Sequence, residues 1–475
     1  MKIQHPTTNI QHRTSKGVRG AGALDVGCWM LNVQCFPRSQ NGSVLIIVLW
    51  VCIGLVSIAL YFANQMTYEL RAADNRTSGV MADQAIEGAA RYVSLALQNY
   101  ATNGATPDNT QFKCEAVAVG DAKFWLIGRD PNEGNSTEPY YGLIDEGSKL
   151  NLNYANTNTL SYLPNMTSDF ALAIADWRST NGGMSLDYTS LGYAPKYAPF
   201  ETVDELRLVY GATVDMLAGE DLNRNGVLDA NEKDVNSNGE LDAGLFDYVT
   251  VYTREPNFHA DGSSLTNVNT APPSQIRSLL QNAGVSTKYV SQLTATNQYA
   301  RPYKGIFGFA LLCKNSSMSS DDFARISNDI TTSTDTYFRG RINVNTASAD
   351  VLTALFMGLN NGDEQTSESA AQTLISYRQQ NPNNLDSIAW VIDALSVSSP
   401  VVTALAKGDY LTTHSYQFTA DIAAVGPFGR GYRRVKFIFD VSDGSPKILY
   451  RQDLSRLGWA LGEKARETLA ANNTQ

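Results

Sequence analysis

The sequence predicts an α+β protein carried on an N-terminal membrane helix, and three observations support that reading. A charge-free apolar run fills residues 43–62, alternating strand-like stretches stand near both ends, and the region between them reads as a series of helices. The chain has 475 residues, 43% hydrophobic and 10% aromatic, ample for packed cores. Its formal net charge is −10, yet the first 42 residues hold Lys2, Arg13, Lys16, Arg19 and Arg38 against Asp25 alone. The remainder is therefore strongly acidic, a poor surface for phosphate backbones and a good one for divalent cations. That balance argues against general nucleic-acid binding.

The apolar run, "SVLIIVLWVCIGLVSIALYF", has the length a helix needs to cross a bilayer. Basic residues cluster before it, whereas Glu69 and Asp74 dilute Arg71 and Arg76 after it. By the positive-inside rule the N-terminus faces the cytoplasm and the body lies outside. A secretory signal has a shorter apolar core followed by a small-residue cleavage site. Here helical spacing continues through Met81, Ala85, Ala89, Tyr92, Ala96 and Tyr100, so residues 43–100 read as a transmembrane helix that becomes an amphipathic stem. Of the five cysteines, Cys28 and Cys35 precede this run and Cys52 lies within it. Only Cys114 and Cys313 could meet in an exported body, either as a bridge or as two ordinary buried thiols.

Beyond the stem, "KFWLIGRD" and "YYGLIDE" alternate as strands, and so do "YQFTADIAAVG", "YRRVKFIFDVS" and "KILYRQDLS" at the far end. A sheet closes only if residues 101–147 pair with residues 409–475, which makes 148–408 an inserted helical domain. That insert repeats one phrase three times: "KLNLNYANTNTLSYL" from Lys149, "TNVNTAPPSQIRSLL" from Thr266 and "RINVNTASADVLTALF" from Arg341. Each is an extended N-x-N-x-A piece whose Asn, Thr or Ser residues can cap the helix that follows. In the last copy Thr346 or Ser348 caps a helix burying Val351, Leu352 and Leu355.

Between "FETVDELRLVYG" and "DYVTVYT" lies "EDLNRNGVLDANEKDVNSNGELDAG", residues 220–244, where one order of acidic and amide residues occurs twice. Asp221, Asn223, Asn225, the Val227 carbonyl, Asp229 and Glu232 fill positions 1, 3, 5, 7, 9 and 12 of an EF-hand-type loop, with Gly226 at its tight turn. Asp234, Asn236, Asn238, the Glu240 carbonyl and Asp242 repeat the pattern, but Leu245 stands at position 12, and Asp247 is the nearest carboxylate to complete it. Oxygen ligands without His or Cys favour Ca2+ over transition metals. With no room for a full helix between the loops at 221–245, the pair reads as a staple that orders the chain rather than as a sensor.

The phrases together resemble a known family. Gly42, standing behind a polar and basic stretch and before the apolar run, resembles a type IV prepilin-like processing site. The layout N-x-N-T-A, L-x-x-L, A-x-x-I-x-x-Y-R resembles tandem helix-hairpin-helix repeats. "YGLIDEGSKLNLNYA", "FETVDELRLVYG", "DYVTVYT" and "INVNTAS" occur in the order of the K-class minor pseudopilin, general secretion pathway protein K, from about residue 38 onward. The long leader, the third repeat and the insertion at residues 254–340 depart from the family pattern. The resemblance implies a pilin-like sheet, a leader over residues 1–42 cut by prepilin peptidase after Gly42, and a methylated Ser43. It also implies an inner-membrane position, and other minor pseudopilins and the secretion machinery as partners. Ile47 replaces the usual fifth-position Glu, which fits a subunit at the tip of a filament, since a carboxylate in hydrocarbon needs a neighbour's amine.

Catalysis has little support: His occurs only at 5, 12, 259 and 414, with no nucleophile elbow, H-E-x-x-H or phosphate loop. The expected role is structural, a tip subunit of a type II secretion pseudopilus that exports folded proteins across the outer membrane. A competence-type DNA-binding receptor and a calcium-dependent surface adhesin are the two alternatives. A basic groove on the helical domain would favour the first, and absence of leader cleavage the second.

Overall fold

The computed structural model describes residues 43–99, 104–107, 111–130, 137–180, 188, 192–286, 289–291, 293, 295 and 301–471. The leader and Gly42 lie outside this range. The chain divides into two units, residues 1–68 and 69–475. One helix, α1 (Ser43–Gln98), supplies the described residues of the first and the opening residues of the second. In the first unit its apolar side chains from Val44 to Phe62 are all exposed, as expected for a segment whose solvent is lipid.

In the second unit α1 becomes one-sided. Ala82, Ala85, Ile86, Ala89, Ala90, Val93 and Leu97 are buried, a stripe of small residues that lets the helix lie close to a sheet. The buried stripe is rotated from the expected one: Ala85 and Ala89 belong to it, Tyr92 packs at its edge and Met81 is exposed.

The sheet has six strands: β1 (Val117–Val119), β2 (Ala122–Ile127), β3 (Ile144–Asp145), β12 (Gln417–Val425), β13 (Arg433–Asp440) and β14 (Lys447–Asp453). Their order is β1–β2–β12–β13–β14, and β3 also pairs with β12. Every ladder is antiparallel. The two ends of the body thus close one sheet, and residues 146–416 leave and return between β3 and β12. β12 is buried along its whole length because α1 covers one face. Trp459, Leu461 and the C-terminal helix Gly462–Ala471 pack on the other, near β2. That last helix was not foreseen in the sequence.

The inserted region contains three copies of one small device. Each N-x-N phrase opens on a two-residue strand that pairs in parallel with a later one: β4 (Leu150–Asn151) with β5 (Val249–Thr250), β7 (Thr266–Asn267) with β8 (Ile330–Thr331), and β10 (Ile342–Asn343) with β11 (Leu411–Thr412). Between the first and third copies, β6 (Arg254–Pro256) pairs with β9 (Tyr337–Arg339) and frames the middle one. The first Asn of each copy turns its side chain onto the backbone N–H two residues on, at 2.9–3.0 Å. The second Asn fastens a distant segment. Asn153 holds both backbone groups of Phe200, Asn269 those of Tyr303, and Asn345 holds Leu385 O and the Trp390 indole N–H. An arginine then covers orphan carbonyls at the helix start: Arg178 on Leu152 and Ala155, Arg301 on Ala271, Arg378 on Val344 and Ala347.

In the third copy Ser348 caps the helix Ala349–Leu359, as expected, while Thr346 turns instead to Asp145 of the sheet. Cys114 lies in the core between α1 and the sheet and Cys313 in the core of the inserted domain, both as free buried thiols, so they do not pair.

Candidate metal centre

The complete acidic loop, residues 221–232, is held between the inserted domain and the sheet. The helix Val214–Ala218 ends at Gly219, whose backbone bridges to Ala243, so the two loops leave and rejoin the domain at one point. Gly219 and Gly244 each leave no space for a Cβ, which would stand under 3 Å from backbone of the other strand. Gly226, at φ +84°, makes the left-handed turn expected at position 6.

Asp221, Asn223, Asn225 and Val227 are buried, and the proposed ligand side chains touch one another. Asn225 N donates to Asp221 Oδ1 at 2.9 Å and Gly226 N to Asp221 Oδ2 at 2.7 Å. Asn225 Nδ2 reaches Asp229 Oδ2 at 2.9 Å, and Asn223 Nδ2 reaches the same carboxylate. Glu232 accepts from Asn223 N and Asp229 N, both at 3.1 Å. Positions 1, 3, 5, 9 and 12 therefore form one cluster.

Two features of this cluster bear on a cation. Asn223 Oδ1 is buried and has no hydrogen-bond donor, although it stands at ligand position 3. The Asp221 carboxyl is pushed up to about 6, chiefly by burial, with Asp247 and Glu232 adding to the rise and Arg129 opposing it. Among the described residues, no three His, Cys, Asp or Glu side chains form a chelating group. A cation held here would therefore need the Asn amides and the Val227 carbonyl beside Asp221, Asp229 and Glu232.

The second loop is different. Asn236, Asn238 and Glu240 are exposed, and Asp234 and Asp242 half-buried. Asp234 takes the N–H groups of Ser237 and Gly239, and Asn236 Nδ2 donates to Asp242 at 2.6 Å. Asp247 does not complete it: that carboxylate faces Arg129, at 3.1 and 3.3 Å. The carboxylate spanning this loop is Glu220, buried, accepting from Val235 N at 2.5 Å and Asp242 N at 3.1 Å. Each loop therefore has one Glu on the N–H of its position 9. The motif hid the second because Glu220 precedes the first loop instead of ending the second.

The sheet holds the complete loop from below. Arg434 on β13, fully buried, pairs with Asp421 on β12 at 2.6 Å and donates to the carbonyls of Asn223 and Arg224. Trp459 O accepts from Asn223 Nδ2 at 3.1 Å.

Residues 342–408, which run from β10 through the third-copy helices, match the protein family described as type II secretion system, protein K. That segment is similar to protein K. The family resemblance drawn from the phrases is therefore borne out, on the copy that contains "INVNTAS". Over 83% of this chain and 99% of the other, the fold compares with a solved structure from enterotoxigenic Escherichia coli, the GspK-GspI-GspJ complex, at 11% identity and a TM-score of 0.36. A comparison with curated protein sequences finds no match. The protein K match ends at residue 408, where the chain turns back toward β11 and the sheet, and the acidic loops lie outside it.

Proposed function

We propose that this chain is a non-enzymatic minor pseudopilin at the tip of a type II secretion pseudopilus. The observation that carries the reading is a protein K segment inside a domain inserted into a helix-backed antiparallel sheet. In this reading α1 lies in the inner membrane with the body in the periplasm, and prepilin peptidase removes residues 1–42. The partners are the smaller minor pseudopilins of the same system. Co-purification of the full chain with those pseudopilins from solubilised envelopes tests it: a stable complex is expected, and recovery of the chain alone would overturn it. DNA binding and free-standing adhesion are the competing readings, and the acidic composition argues against the first.

The acidic loops belong to the same reading as a calcium staple. Asp221, Asn223, Asn225, the Val227 carbonyl, Asp229 and Glu232 hold one ion, and Asp234, Asn236, Asn238, the Glu240 carbonyl and Asp242, with Glu220, a weaker second. Bound calcium would add positive charge beside the three carboxylates of the first loop. The residues themselves do the mechanical part: Arg434 and Trp459 fix the first loop to the sheet, so ordering the loop orders the seam.

A further inference from the structure

The residue facing the complete loop from the sheet side is Arg129, just past the end of β2. Its guanidinium lies 3.4 Å from Asp221 and 3.1 Å from Asp247, and Nη1 donates to Gly128 O at 2.9 Å. It also lies over the loop's tight turn, where a Cβ on Gly226 would come within about 2.9–3.0 Å of it. A cation is thus already seated against the first ligand of the loop. Arg434 differs: it is fully buried, bound to Asp421, and touches the loop through backbone carbonyls alone. Arg129 keeps about a quarter of its side chain exposed and has two carboxylates to choose between.

We propose that Arg129 is a resident competitor for the ion, one that sets the affinity of the 221–232 loop and makes calcium occupancy a contest between metal and sheet for Asp221. The inference rests on the calcium reading above. Asp221 cannot serve a guanidinium and a metal ion equally, because both draw on the same oxygens and repel each other at short range. Asp247 is the alternative seat. With the metal on Asp221, Arg129 stays with Asp247; without it, Arg129 bridges both carboxylates and closes the seam itself. The orphan Asn223 Oδ1 distinguishes this loop from a plain salt-bridge site, since Arg129 leaves that acceptor unsatisfied.

The two partners of Arg129 give opposite expectations. Calorimetric titration of the purified full chain in detergent with calcium chloride measures them. Arg129→Gln removes the competitor and raises the affinity of the tighter site by about tenfold, whereas Arg129→Lys, which keeps the charge, stays near the parent value. Asp247→Asn removes the alternative seat and lowers affinity several-fold, but in an Arg129→Gln background the same change has little effect. Equal losses from Asp247→Asn in both backgrounds would show simple charge removal and overturn the proposal. So would an unchanged or weaker affinity in a folded Arg129→Gln protein. If the parent chain takes up no calcium at all, the calcium reading itself falls, and the inference with it.

Discussion

Asn343 shows how much a single side chain does in this fold. It is fully buried and donates to Asp145 at 3.0 Å and to Ser415 at 2.7 Å, while its oxygen takes the N–H of Asn345. Asp145, on β3, gathers Ser415, Thr346 and Gly147 as well, so one buried carboxylate ties the sheet to the third repeat without a cation. Asn343→Ala leaves buried groups unpaired and should cost about 2–4 kcal/mol, seen as a lower urea midpoint for the body. Glu255 offers a pH test at the same scale. Burial raises its carboxyl, but Arg341, at 3.2 Å, and His414 overcome this and hold it at about 2. A depressed carboxylate stabilises the fold above its unfolded value near 4.5, and that contribution is lost as pH falls toward 2. It amounts to about 3 kcal/mol at neutral pH. Glu255→Gln should flatten the fall in stability across that window; an unaltered acid unfolding curve would refute the assignment.

Among the elements, the acidic loops make the sharpest contrast. Asp221→Ala and Glu232→Ala each remove a charged oxygen from the buried, complete loop, and Asp234→Ala from the exposed one. Titration should therefore show the first two losing the tighter calcium event and the third losing only a weaker one. An identical titration for all three variants would mean that the loops are no more than turns. Much of this scale was legible in the sequence: α1, β2, β12, β13, β14 and the capping of Ala349–Leu359 follow from apolar period and from Ser348. What stayed hidden has physical reasons. The return strands β5, β8 and β11 are two residues long, too short for alternation to show. Their signal was a second repeat, "DYVT", "DIT" and "DYLT", in which the Thr hydroxyl accepts from the N–H two residues on, at 3.1–3.2 Å. Glu220 and Arg129 were hidden because their partners are distant in sequence or outside the loop pattern. Asp247 was misjudged because proximity along the chain does not reveal that a guanidinium from another element has taken it.

For the whole molecule, the proposed place is one end of a filament. The sheet and α1 form a helix-backed antiparallel body, while the chain between β3 and β12 adds three repeat units to it. In the proposed reading, the added repeat units would hinder a place within a stack of narrow subunits. Ile47 points the same way: a subunit inserted beneath others benefits from a carboxylate that pairs with its neighbour's terminal amine, and an apolar residue there forgoes the pairing at no cost in hydrocarbon. In the proposed reading, assembly depends on exposing the new amine at Ser43, so Gly42→Ala should leave the leader attached and keep the chain out of filaments. Gold labelling of an epitope-tagged chain in filaments sheared from cells overproducing the secretion system checks both points. Label is expected at a single end of each filament in the parent and absent from Gly42→Ala filaments. Label spaced along the shaft would show a chain stacked like its neighbours, and the tip assignment would then have to be abandoned.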